Sequence, residues 1–229
     1  MTTNKKYTLV KSDTVTTWDG RTLYRIKAKV AIASLGIAAG TLGGYVESEK
    51  NLDHSGNAWV SGNAQVYGNA WVYGNARVYG NAWVYGNAWV SGNAQVYGNA
   101  LVYGNALVSG NAQVSGNAQV YGDALVYGNA RVYGDALVYG NAQVSGNAQV
   151  YGMNITAVRS DGYTFTVAPT PEGARIIAGC RYFTFDEARL HWTKTRVGTS
   201  LGDESLALVD HLERMAVIRG FLEPVSDPE

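Results

Sequence analysis

A period of six residues runs without insertion from Gly56 to Gly152, as sixteen units of the form Gly-[Asn/Asp]-Ala-x-Val-[Tyr/Ser]. Six residues are too few for a helical hairpin or a propeller blade; they suit one short strand and one corner. Side chains alternate along a strand, so the Ala and Val of each unit share one face, while x and the Tyr or Ser share the other. The small and branched pair is expected inside. The Gly-Asn or Gly-Asp pair is expected at the corner, since both members tolerate a positive φ. Three units close a triangular coil of 18 residues. Sixteen units predict about five regular coils of parallel β-helix, a rod roughly 25 Å long at ~4.8 Å per coil.

Because residues i and i+18 stack, the outward positions sort by face. The first face carries Trp59, Arg77, Gln95, Gln113, Arg131 and Gln149 at x. The second has an unbroken column after valine: Tyr67, Tyr85, Tyr103, Tyr121 and Tyr139. The third carries Trp71, Trp89, Leu107 and Leu125, then Gln143, with serines at 91, 109 and 145 beside them. A continuous Trp-Trp-Leu-Leu ridge is a poor surface to leave in water. The expectation is a homotrimer in which the ridge of one protomer packs on the tyrosine wall of the next, a head-to-tail contact that closes under threefold rotation. Tyrosine ladders also stabilise a sheet by themselves, and both roles can hold. Stacked corner asparagines serve turn geometry and hydrogen-bonded ladders and are not read as ligands.

The net charge of zero hides a split. Residues 1–55 carry eight Lys/Arg against five Asp/Glu, and residues 153–229 carry eight against eleven. Between them lie only Arg77, Arg131, Asp123 and Asp135. So sparse a charge offers no basic track, and nucleic acid is not expected on the rod. The N-terminal basic residues read as a solvated face. The single cysteine, Cys180, permits no intrachain disulfide, and no secretory signal is apparent. No apolar run is long enough for a membrane span. The expected location is a host cell cytoplasm or a virion.

Bare β-helix ends are exposed edges, and both ends read as capped. Residues 1–29 hold two strand-like runs around Asp19-Gly20, a hairpin signal. Residues 30–55 read as irregular first coils. Residues 153–229 read as a small α+β domain. It has a second hairpin around Asp161-Gly162, a loop at Pro169 and Pro171, and a strand at 174–177. A capping box, Thr184-Phe-Asp-Glu187, opens a helix to about Thr195. A longer helix is expected to be capped by Asp203 and to end at Gly220.

The pairing of Val60 with Ala64, repeated in every later unit, resembles the hexapeptide-repeat, left-handed β-helix family. The left hand is implied by that resemblance alone. The layout also resembles phage- and prophage-encoded repeat proteins, on Leu42-Gly-Gly-Tyr-Val-Glu-Ser-Glu-Lys-Asn-Leu52, the Gly-Asn-Ala-x-Val-Tyr units, and Gly179-Cys180 followed by Thr184-Phe-Asp-Glu187. The second resemblance implies a phage accessory or virion component.

Many hexapeptide-repeat proteins are acyltransferases that use a histidine as general base at a protomer junction. Of His54, His191 and His211, only His54 stands near such a junction, and no loop leaves the coil. No Cys or His pair has metal-ligand spacing, no glycine motif opens a helix for phosphate, and no cofactor is expected. A non-catalytic scaffold that binds a protein partner through its terminal domains is therefore the leading expectation. One alternative is a phage anti-defence effector that blocks a host factor or holds a small nucleotide between protomers, with Arg77, Arg131 or His54 as contacts. The other is an acyltransferase.

Overall fold

Each hexapeptide forms one short strand in the computed structural model, which describes residues 5–152, 154–170 and 172–223. Sixteen strands, β4 to β19, run from Trp59–Val60 to Gln149–Tyr151. They stack every third strand into three parallel sheets, one per face. Trp71 stands opposite Trp89, and Leu107 opposite Leu125, as the spacing of 18 requires. The alanines and valines of the repeat fill the interior, each 3% exposed or less.

The corners correct one expectation. Their glycines hold φ between +61° and +73°, but no other residue type has a positive φ among the described residues. Glycine is needed there twice over. At Gly110 a Cβ would also stand 2.9 Å from the Gly128 backbone nitrogen. The asparagines act through their side chains instead. From Asn57 to Asn147 each Nδ2 donates to the Oδ1 of the next rung, at 3.0–3.1 Å. The second column runs the same way from Asn63 to Asp135, and the third from Asn69 to Asp123. A carboxylate accepts but has no proton to pass on, so the ladder stops at Asp123 although Asn141 stands on the next rung, and Asp135 is the last corner residue of its column.

The N-terminal cap extends the second face. β1 (Tyr7–Thr16) and β2 (Thr22–Ala28) form the expected antiparallel hairpin, β2 pairs antiparallel with β3 (Leu42–Val46), and β3 pairs parallel with β5 (Gln65–Val66). Leu52 bridges Val72 on the third face. Residues 42–52 thus supply two of the three sides of a further turn, giving about six in all. Residues 30–41 do not coil; they hold a 3-10 turn at Ala33–Leu35 and an Ile32–Ile37 bridge.

Each face receives a different donor for its first exposed carbonyls. On the first, the buried Lys6 ammonium donates to Ala58 O at 2.7 Å. Burial lowers its pKa to about 8, so it keeps its proton at neutral pH. On the second, the backbone of β3 serves: Tyr45 N–H donates to Ala64 O at 2.9 Å. On the third, the fully buried Asn51 side chain donates to Gly68 O and Ala70 O at 3.0 and 2.9 Å. Replacing Asn51→Leu strips both bonds and leaves two carbonyls dry, each at ~1–3 kcal/mol. The measurement is a denaturant midpoint, expected to fall well below wild type; an unchanged midpoint would refute the assigned role.

The C-terminal part is an antiparallel sheet of β20 (Ile155–Val158), β21 (Thr164–Ala168), β22 (Arg175–Ala178) and β23 (Arg181–Phe183), in that order, covered by α1 (Phe185–Thr195) and α2 (Ser200–Ile218). Pro171 lies outside the described residues. The capping box at Thr184 and Glu187 is present. Asp203 is not the cap of α2. The helix starts a turn earlier, with Thr199 accepting from Gly202 N–H at 3.1 Å. Gly202 hides that turn from a propensity reading, yet a Cβ there would stand 2.1 Å from Arg196 O. The end of α2 follows expectation: Gly220 takes φ +70° and Phe221 N–H returns to Ala216 O at 2.8 Å. Asn154 Oδ1 accepts from Leu137 N–H at 3.0 Å, and its amide donates to Leu137 O, closing the far end of the second face.

Candidate assembly faces of the rod

The third face carries its ridge on one sheet. Trp71 stacks on Tyr73, with ring centroids 4.1 Å apart, and meets Trp89 edge to face at 6.0 Å. Trp89 remains 47% exposed, and Leu107 and Leu125 continue the ridge half-buried. The C-terminal domain reaches the far end of this face, where the Ser145 hydroxyl donates to Cys180 O at 3.2 Å.

The second face is a wall of parallel rings. Tyr67, Tyr85, Tyr103 and Tyr121 stack at 4.9–5.0 Å with planes within 4°, and Tyr139 follows at 5.4 Å. The rise of the sheet sets this spacing, since one strand repeat is close to a stacking distance. Such a column presents ring edges and hydroxyls sideways. Ring edges carry the positive part of the aromatic quadrupole, so they suit the faces of tryptophans. Tyr67 departs from the expected set. The hairpin covers it with Leu23 and Tyr45, leaving it 2% exposed and unavailable to another chain. Trp59 on the first face is likewise buried, edge-on to Tyr7 at 6.5 Å. Both burials come from contacts with the cap, which the repeat pattern does not contain.

Burial, and then neighbouring phenols, raise the Tyr85 pKa to about 12 and push up Tyr103 and Tyr121 as well. A phenol whose folded pKa exceeds its ordinary value of 10 stabilises the fold fully below pH 10 and loses that contribution as pH rises. The rod is therefore expected to lose stability between about pH 10 and 12. Tyrosinate absorbance should rise together with loss of the β-sheet circular dichroism signal. Ionisation of every tyrosine at pH 10 with no loss of structure would contradict this.

The candidate ligand contacts are not brought together. Arg77 and Arg131 lie exposed on the same sheet, but β10 (Gln95–Val96) and β13 (Gln113–Val114) separate their strands. Three strand steps are roughly 14 Å, too far to share one phosphate. The Arg77 guanidinium lies over its own neighbour Tyr79 at 5.1 Å. His54 belongs to the cap. It stacks on Tyr7 at 4.3 Å, and both ring nitrogens are buried without a hydrogen-bond partner. Burial lowers its pKa, with Glu49 opposing from 3.9 Å. Among the described residues no three His, Cys, Asp or Glu side chains converge as a metal site would need.

The fold and the repeat chemistry define a parallel β-solenoid repeat protein. The family model described as YdcK Beta solenoid repeat matches residues 64–78, 70–86, 76–92, 94–110, 102–116, 118–134 and 130–146. All of these lie inside the rod and together span well under half of the chain, so the rod is similar to that repeat family while the two ends fall outside the match. No curated protein matches the chain.

Proposed function

We propose that this protein is a non-catalytic scaffold. Three rods associate through the Trp/Leu ridge of one protomer and the tyrosine wall of the next, and their terminal domains meet a protein partner. The observation that carries this reading is the segregation of the faces. The ridge and the wall occupy the third and second faces of the triangular coil, and both rod arginines occupy the first. Threefold rotation then buries both apolar faces and leaves the charged one in water. Tyr85, Tyr103, Tyr121 and Tyr139 form the receiving wall. The buried nitrogens of His54 favour a structural over a catalytic role for that residue. The likeness in layout to phage-encoded repeat proteins supports a phage accessory or virion component.

Native mass spectrometry of the purified protein tests the assembly. The expected species weighs three times the 24.5 kDa chain. A 24.5 kDa species alone at micromolar concentration would overturn the reading. A co-purifying nucleotide would move the function to a host-directed effector that holds a small signal between protomers.

A further inference from the structure

The C-terminal domain holds a cavity of about 330 Å³ where the sheet meets the junction of its two helices. Tyr163 and Arg181 come from the sheet side, His191 and Trp192 from α1, Arg196 from its C-terminal cap, and Thr199 from the N-terminal cap of α2. No carboxylate of the described residues lines it. Arg159, Arg175 and Arg189 each meet an acidic side chain, whereas Arg181 and Arg196, like Arg214 and Arg219, meet none among the described residues. Arg181 is exposed at this cavity and Arg196 is half-buried beside it, so an anion entering there meets two positive side chains.

A second observation is independent of charge. Trp192 is only 4% exposed, yet its Nε1–H is buried without an acceptor among the described residues. A buried donor left unsatisfied costs ~1–3 kcal/mol, and an acceptor in the cavity would remove that cost. The backbone is shaped around the same place. A Cβ at Gly202 would strike Arg196 O at 2.1 Å, and one at Gly179 would strike the Tyr163 hydroxyl at 2.4 Å. Glycine at these two positions lets Arg196 and Tyr163 take their places. The start of α2 at the rim adds the positive end of a 19-residue helix.

We propose that this cavity binds a phosphate group, carried by a small phosphate ester. Two guanidinium forks, a histidine and an indole N–H suit a tetrahedral dianion better than a flat monoanion such as a carboxylate. The volume exceeds that of the phosphate alone, and the rings of Trp192, His191 and Tyr163 wall the remaining space. The pKa of His191 is lowered, first by burial and then by Arg181. This site lies apart from the rod faces and stands whether or not the chain trimerises.

The test uses the full chain labelled with 5-fluorotryptophan, titrated with inorganic phosphate and, at equal ionic strength, with acetate and with chloride. Calorimetry is expected to show saturable binding of phosphate only. The fluorine line lost in Trp192→Phe should be the one that moves. Arg181→Gln and Arg196→Gln should each weaken binding about tenfold, with the native mass and circular dichroism unchanged. Phosphate binding no tighter than chloride would overturn the proposal. So would equal or tighter binding of acetate, a stationary Trp192 line, or binding that survives the double Arg181→Gln, Arg196→Gln variant.

Discussion

The double substitution Trp71→Glu, Trp89→Glu is expected to reduce the native mass from three protomers to one. Both positions are outward x positions of the repeat, and residue 77 shows that a charged side chain is tolerated at x within the same strand type. The rod should therefore keep its circular dichroism spectrum. The interface should not survive. Each contact would bury two carboxylates against ring edges and apolar rungs with no cation near them. Unpaired burial of one charge costs about 3–5 kcal/mol, and every 1.4 kcal/mol is about tenfold in a dissociation constant. The effect repeats at three equivalent contacts. Arg77→Glu, on the first face, is the control and should leave the mass at three chains. A double variant that keeps the wild-type mass in light scattering would mean that the ridge is not the interface.

Placing methyl groups at the seat of the cap, Gly43→Ala with Gly44→Ala, is expected to lower the unfolding midpoint more than any single change on the rod's surface. β3 enters the first turn so closely that a Cβ at Gly44 would lie 2.6 Å from Ala64 O and 2.7 Å from Val60 Cγ1. At Gly43 the contacts would be Val60 O at 2.6 Å and Ile26 Cγ1 at 2.5 Å. Backbone oxygens cannot rotate away, so the strand must shift. Overpacking of this kind costs about 1–3 kcal/mol per position. A shifted β3 would also withdraw the Tyr45 N–H from Ala64 O and lift the hairpin from Tyr67. The variant should unfold at lower denaturant, and exposure of the first-turn edge should make it aggregate. A midpoint within experimental error of wild type would show that the cap seats otherwise.

Much of this could be read along the chain. The Ala-x-Val alternation names every interior side chain of the rod, and the spacing of 18 sorts its faces, because both follow from strand geometry. The box Thr184-Phe-Asp-Glu187 and the terminal Gly220 could be read because capping is local. The start of α2 could not. Gly202 is there for the closeness of Arg196 O, a contact with the previous helix, and it weakens the helical pattern that would have revealed the turn. The strand Arg181–Phe183 is too short to show an alternation and exists through its pairing with β22.

The phosphate-type cavity was missed for the same reason. Its residues lie from 163 to 199, on the turn before β21, on β23, on α1 and on the caps of the two helices, and Arg181 and Arg196 look like ordinary surface charges in order of sequence. The one signal along the chain was a pair of basic residues flanking the His191-Trp192 helix, and that is common on solvated helices.

The sequence by itself determined the six-residue period, the triangular core and the separation of ridge, wall and charged face, because a repeat makes each position's neighbours predictable from spacing. Only the tertiary structure decided which outward residues are still outward and what closes the two ends. Those outcomes depend on contacts between segments with no shared period. Lys6 reaching Ala58 O, Asn51 reaching Ala70 O and the hairpin covering Tyr67 each join residues that no local pattern links.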